Sequence, residues 1–121
     1  MSQDKNQTIR NVFAEVTVND FEAALVWYER FFGRPAEARP MDNLANWQIT
    51  DSAGLQVWRD VERSGKALVT FGVDDLDAHV VSMAKKDIVP SARTANEKVR
   101  TATFTDSWGN AITFAESLGA K

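Results

Sequence analysis

Hydrophobic and polar positions alternate over residues 12–18. Val12, Ala14, Val16 and Val18 share one face, and Phe13, Glu15 and Thr17 share the other. That period of two predicts a strand. The period then changes. Phe21, Leu25, Tyr28 and Phe32 recur at helical spacing and predict a helix with these residues as its buried stripe. Asn19 or Asp20 is placed to cap it, Glu22 suits its N-terminal dipole, and Gly33 and Pro35 stop it. Residues 36–45 carry Pro40 and many polar side chains, which predicts a short, poorly marked strand and a turn. Strands are predicted over 46–50 and 55–59, on either side of a turn at Asp51-Ser52-Ala53-Gly54.

The same order returns in the second half. A strand is predicted over 67–73 and a helix from Asp74-Asp75, with Leu76, Val80 and Met83 as its stripe. Pro90 ends the helical region and a weak strand follows near Ala92. Strands over 99–105 and 111–116 flank a turn at Asp106-Ser107-Trp108-Gly109-Asn110. A shift of 55 residues superposes the halves without a gap. Val18 falls on Val73, Asp20 on Asp75, Pro35 on Pro90, Thr50-Asp51-Ser52 on Thr105-Asp106-Ser107, and Gly54 on Gly109. Two copies are too few for a solenoid. They predict an α+β fold of two tandem βαβββ modules, 11–60 and 67–117, with a linker at 61–66 and a polar tail at 1–10. Each module is too small to stand alone, so the two share a core or pair across a dimer. The tail is a candidate arm toward a second subunit.

Composition narrows the chemistry. The 121 residues carry 14 Lys and Arg against 17 Asp and Glu, a net charge of -3, which lacks the basic surface expected of a nucleic-acid binder. There is no cysteine, which removes disulfides, zinc–thiolate sites and thiol nucleophiles together. The single histidine, His79, leaves one chain short of the imidazoles that zinc, nickel and non-haem iron sites usually draw on. No stretch has the length of apolar sequence a membrane span requires, and the polar N-terminus lacks a signal-peptide core. The expectation is a cytoplasmic protein with neither membrane nor nucleic-acid partners.

Three segments resemble a known superfamily: Val18-Asn19-Asp20-Phe21-Glu22-Ala23 followed by Trp27-Tyr28 and Phe32-Gly33, then Phe71-Gly72-Val73-Asp74-Asp75-Leu76, then Phe104-Thr105-Asp106-Ser107-Trp108-Gly109-Asn110. Together they look like the vicinal oxygen chelate superfamily. It holds glyoxalases, extradiol dioxygenases, fosfomycin-resistance enzymes and bleomycin-resistance binding proteins. The resemblance spans residues 10 to 116 and implies mixed sheets curled around a central cavity, helices outside, and a homodimer. In metal-dependent members, two ligands stand on the first strand of each module and two on the last strand of each. Those positions fall here on Phe13, Leu68, Trp58 and Thr113, with Gln56 in place of Trp58 if the first closing turn is a dipeptide shorter. None suits a divalent ion. His79, on the second helix, is expected to be a half-buried helix residue outside the cavity.

The implied reading is a metal-free binding protein of the bleomycin-resistance type, without cofactor, sequestering an aromatic or cationic compound. Its expected ligand-binding residues are Phe13, Glu15, Gln56, Trp58, Leu68, Thr70, Thr103, Trp108 and Thr113, with Thr17, Asn46, Gln48, Thr101 and Ala111 extending the lining. Trp108 is expected at a mouth. Trp47 shares a face with Ile49 and belongs to the core; Trp27 is placed to cap the core or sit in an interface. Three alternatives stand beside this. Phe13 and Leu68 fill the cavity outright, Glu15 is tied to an arginine such as Arg100, or the protein is a lyase, isomerase or dioxygenase using Glu15 as base.

Overall fold

A computed structural model describes residues 8–119, so the tail at 1–7 lies outside the described residues. Strand β1 (Val12–Val18) leads into helix α1 (Phe21–Phe32), then β2 (Ala38–Met41), β3 (Leu44–Thr50) and β4 (Ala53–Arg59). The second module repeats this with β5 (Leu68–Gly72), α2 (Leu76–Ala84), β6 (Ala92–Ala95), β7 (Val99–Thr105) and β8 (Ala111–Ser117). The sheets run β1-β4-β3-β2 and β5-β8-β7-β6. In each, the first strand pairs parallel to the last, and the other pairs are antiparallel.

The helix starts follow from the repeated Asp. Asp20 Oδ1 accepts from the Ala23 N–H at 3.1 Å, and Asp75 Oδ1 from the Ala78 N–H at 3.1 Å. Each satisfies an otherwise orphaned amide of a first turn. Gly33 ends α1 in the left-handed conformation, its N–H bonded to the Glu29 carbonyl.

The buried stripe of α1 is not the one its spacing predicts. Phe21, Ala24, Tyr28 and Phe31 are buried, while Leu25 and Phe32 are only partly so. The reason is that α1 is covered by both sheets. Tyr28 and Phe32 face Trp47 of the first sheet at 6.2 and 5.6 Å, and Phe31 meets Phe104 and Phe114 of the second at 6.0 and 5.9 Å. Trp47 is fully buried, as its pattern predicts, and its indole N–H donates to the Arg34 carbonyl at 3.0 Å. Trp27 caps this core, stacked on Phe31 at 5.1 Å. The modules thus join through an aromatic core on their helix-covered sides, and the sheets form no closed barrel around a central cavity.

A polar clasp locks the join. The second closing turn buries Asp106, whose Oδ1 accepts from the backbone N–H groups of Trp108, Gly109 and Asn110, each at 2.9 Å. Its Oδ2 accepts from the Tyr28 hydroxyl of the first module at 2.6 Å and from Asn110 Nδ2 at 2.8 Å. Burial, and then the adjacent carboxylate, push the Tyr28 phenol well above its usual pKa. Asn110 also donates to the Thr17 carbonyl at 2.8 Å and accepts from the Ala67 N–H at 2.9 Å, tying the end of β1 to the start of β5. The linker closes over this turn at Gly65. Its φ is +80°, and a Cβ there would lie 1.8 Å from the Trp108 carbonyl oxygen.

The halves do not superpose without a gap. Phe13 is level with Gly54, and Leu68 with Ala111. Holding Phe13 equivalent to Leu68 therefore makes Gly54 equivalent to Ala111, Gln56 to Thr113 and Asn46 to Thr103. The last two strands are displaced by two residues from the shift that relates the first strands and helix starts. Gly54 is accordingly no turn glycine like Gly109. It sits buried inside β4, which begins at Ala53.

Candidate functional site

One face of each sheet lies under the helices, and the strand alternation leaves the opposite face open. On the first sheet that open face carries three rows running across β1, β4 and β3. They read Phe13–Gly54–Gln48, then Glu15–Gln56–Asn46, then Thr17–Trp58–Leu44. The ring of Phe13 lies against Gly54, where a Cβ would come within 2.6 Å of it. At the other end Leu44 is directly opposite Trp58 and is buried, yet stands outside the main core. The two aromatic ends are four residues apart along the strands, about 13 Å.

The middle row is polar and uncommitted. Neither the Glu15 carboxylate nor the Gln56 amide hydrogen-bonds to any described residue. The Oδ1 of Asn46 is buried without a hydrogen-bond partner among the described residues. An unpaired buried acceptor is costly, on the order of 1–3 kcal/mol, and such atoms mark places where a water, ligand or partner completes the bonding. Arg100 does not pair with Glu15. It sits on the other sheet, where its guanidinium bonds Glu116 at 3.1 Å and Asp77 at 3.4 Å. Gln48 and Thr17 are also spent locally. Gln48 Nε2 donates to the carbonyls of Thr50 and Ala53, and the Thr17 hydroxyl to that of Arg63.

The second sheet's open face has the same plan with different groups. Leu68 is 85% exposed, so it fills no cavity within the single chain. Thr70, Thr113 and Thr103 form the row equivalent to Glu15, Gln56 and Asn46. The Thr103 and Thr113 hydroxyls bond each other at 2.7 Å, and those of Thr94 and Thr101 at 2.5 Å.

Trp108 is not at the mouth of either open face. It packs toward the core and lines a groove against α1 with Ala23, Val26, Trp27 and Arg30. His79 is exposed rather than half-buried, its ring 4.9 Å from Phe114 on the helix side.

The register decides between the two candidates for the fourth metal-ligand position. Gln56, not Trp58, is equivalent to Thr113. The set is therefore Phe13, Gln56, Leu68 and Thr113. Two members have no lone pair, and the other two offer one neutral oxygen each, which does not fit a divalent ion. Among the described residues, no three His, Asp or Glu side chains cluster as such an ion would need.

This architecture matches known structures closely. A glyoxalase/bleomycin resistance protein from Catenulispora acidiphila DSM 44928 superposes with a TM-score of 0.82 at 33% identity, over 88% of this chain and 96% of that one. TnmS3, an antibiotic binding protein from Streptomyces sp. CB03234, matches at 0.71 with 21% identity, over 88% and 93%. A lactoylglutathione lyase from Agrobacterium tumefaciens matches at 0.73 with 15% identity, over 87% and 91%. The chain belongs to the glyoxalase/bleomycin resistance protein family, within the vicinal oxygen chelate superfamily. No family model matches the sequence, and no curated protein does.

Proposed function

We propose that this chain is a metal-free, cytoplasmic binding protein that sequesters an aromatic, cationic compound on its first open face. The observation that carries the reading is the uncommitted row Glu15–Gln56–Asn46, set between Phe13 and the Trp58–Leu44 pair. Glu15 offers a charge, and the unbonded Gln56 amide beside it an acceptor, to a donor-bearing cation. Aromatic contacts at Phe13 and Trp58 each add about 0.5–1.5 kcal/mol beyond area burial. A few placed polar groups on an apolar lining is the usual make-up of a small-molecule site. The misfit of Phe13, Gln56, Leu68 and Thr113 to a divalent ion supports binding without metal. TnmS3, named as an antibiotic binding protein, supports the class of ligand.

The site is completed in a homodimer. Support comes from the single chain's open faces: Leu68 is a large apolar side chain, 85% exposed at the start of β5, the edge strand of the second sheet. A second copy turns the threonine-lined face of one chain toward the Glu15 face of the other, with Phe13, Glu15, Gln56, Trp58, Leu68, Thr70, Thr103 and Thr113 around the ligand.

Titration of tryptophan fluorescence against a panel of aromatic antibiotics, in chelator, tests this. Saturable quenching by a cationic member, reduced in Trp58→Phe, is expected. Quenching by no compound, or a stoichiometric requirement for nickel, zinc, manganese or iron, contradicts it.

A further inference from the structure

A second cleft, of about 520 Å³, opens on the helix side between the C-terminal end of α1, β5 and α2. Its volume falls within the range of small-molecule sites. Both modules build it. Phe31 and Phe32 come from α1, Phe71 from β5, Met83 from α2 and Phe114 from β8. Phe31, Met83 and Phe114 are buried and form the floor, while Phe32 and Phe71 remain half-buried as walls. Four aromatic rings favour a planar occupant, and the Met83 thioether adapts to its outline.

The rim sets the charge. Its charged groups are Arg34, Lys86 and the carboxylate of Asp74, with His79 also in the lining. Arg34 is already engaged, with Nε donating to Glu37 at 2.7 Å and a second nitrogen to the Gln48 carbonyl at 2.5 Å. Lys86 is not neutralised. Its ammonium donates to the Phe31 carbonyl at 3.1 Å, and among the described residues no carboxylate forms an ion pair with it. An ammonium half-withdrawn from water beside an aromatic floor gains most from an anion that brings its own flat apolar body.

We propose that this cleft is a second ligand site, selective for a planar aromatic carboxylate whose ring lies on Phe31, Phe71 and Phe114 and whose carboxylate pairs with Lys86. It is separate from the open faces, so the two sites stand or fall independently. The opposite charge preference follows from the cleft's unpaired Lys86 ammonium and the open face's Glu15.

The test compares 2-naphthoate with the isosteric neutral 2-naphthamide, by calorimetry and by amide chemical shifts of the full-length protein. Naphthoate is expected to saturate and to shift the amides of Phe71, His79 and Lys86, leaving those of Glu15 and Gln56 in place. Naphthamide is expected to bind about fivefold more weakly, the weight of one partly exposed ion pair. Lys86→Gln keeps a polar side chain but has no charge, and it is expected to bring the two probes to the same affinity. Ser82→Trp, at an exposed position on the cleft wall, is expected to block both probes while the remaining amide spectrum is unchanged. Equal affinity for the two probes, unchanged naphthoate binding in Lys86→Gln, shifts confined to the open faces, or no binding at all would overturn the assignment.

Discussion

On the first sheet, the central row of the open face presents Glu15, Gln56 and Asn46 with a buried acceptor unpaired. On the second sheet the same row presents Thr70, Thr113 and Thr103, and two of those hydroxyls satisfy each other at 2.7 Å. The strand plan is common to both, so the difference is chemical. A face whose polar groups bond one another has little to offer a ligand. A face whose polar groups are uncommitted has donors and acceptors free for a ligand, and the buried Asn46 oxygen already carries an unrelieved desolvation cost. The closing turns differ in the same direction. Asp106 gathers five hydrogen bonds and holds the modules together, whereas the first turn is the tight Asp51-Ser52 connection on the surface.

The largest expected effect sharpens the contrast between the turns. Asn110→Ala removes three hydrogen bonds, one buried and two part-buried, and strands the Ala67 N–H while the Thr17 carbonyl keeps its bond from the Gly65 N–H, at a cost of about 3 kcal/mol in denaturant unfolding. Asp51→Ala is expected to stay within about 0.5 kcal/mol, as ordinary surface changes do. Equal losses in the two would remove the asymmetry between the turns.

Next is the cradle under Phe13. Gly54→Ala places a methyl 2.6 Å from the Phe13 ring and 2.9 Å from the Trp47 carbonyl oxygen, and is expected to cost about 1–3 kcal/mol. The reverse change at the equivalent position, Ala111→Gly, is expected to cost about 0.5–1 kcal/mol, from backbone entropy alone. Thermal melts of the pair would show whether only the first face is packed so tightly.

A smaller effect lies in pH. The hydrogen bond from Arg34, and then that from the Gln48 N–H, hold the Glu37 carboxyl below its usual range. A carboxylate whose folded pKa is lowered adds stability above its unfolded pKa of about 4.3. That contribution is lost as pH falls through the folded value. Glu37 is exposed, so the difference between wild type and Glu37→Gln should be small at neutral pH and vanish in acid unfolding series.

Much of this fold is written locally. The alternation at 12–18 and the caps at Asp20, Asp75 and Gly33 depend on neighbours within a few residues, and each stands where its chemistry places it. The buried stripe of α1 was not legible, because it depends on the second sheet arriving over Phe31. The two-residue displacement of β3 and β4 was legible only as an alternative, in which Gln56 replaces Trp58 behind a shorter first turn. The matching letters Thr-Asp-Ser and Gly sustain an ungapped shift, and only strand pairing shows that Gln56, not Trp58, lies level with Thr113's row. Phe13, Glu15, Gln56 and Trp58 were legible as one face by parity. The unpaired Asn46 acceptor, the self-satisfied threonines and the departure of Trp108 to α1 required the structure.

The central contrast is most directly tested by calorimetric titration, in chelator, of whichever aromatic cation quenches tryptophan fluorescence, into wild type, Glu15→Gln and Thr70→Val. Saturable binding without metal is expected, weakened about tenfold in Glu15→Gln and much less in Thr70→Val. Equal losses at Glu15 and Thr70, or binding that appears only when a divalent ion is added, would contradict it.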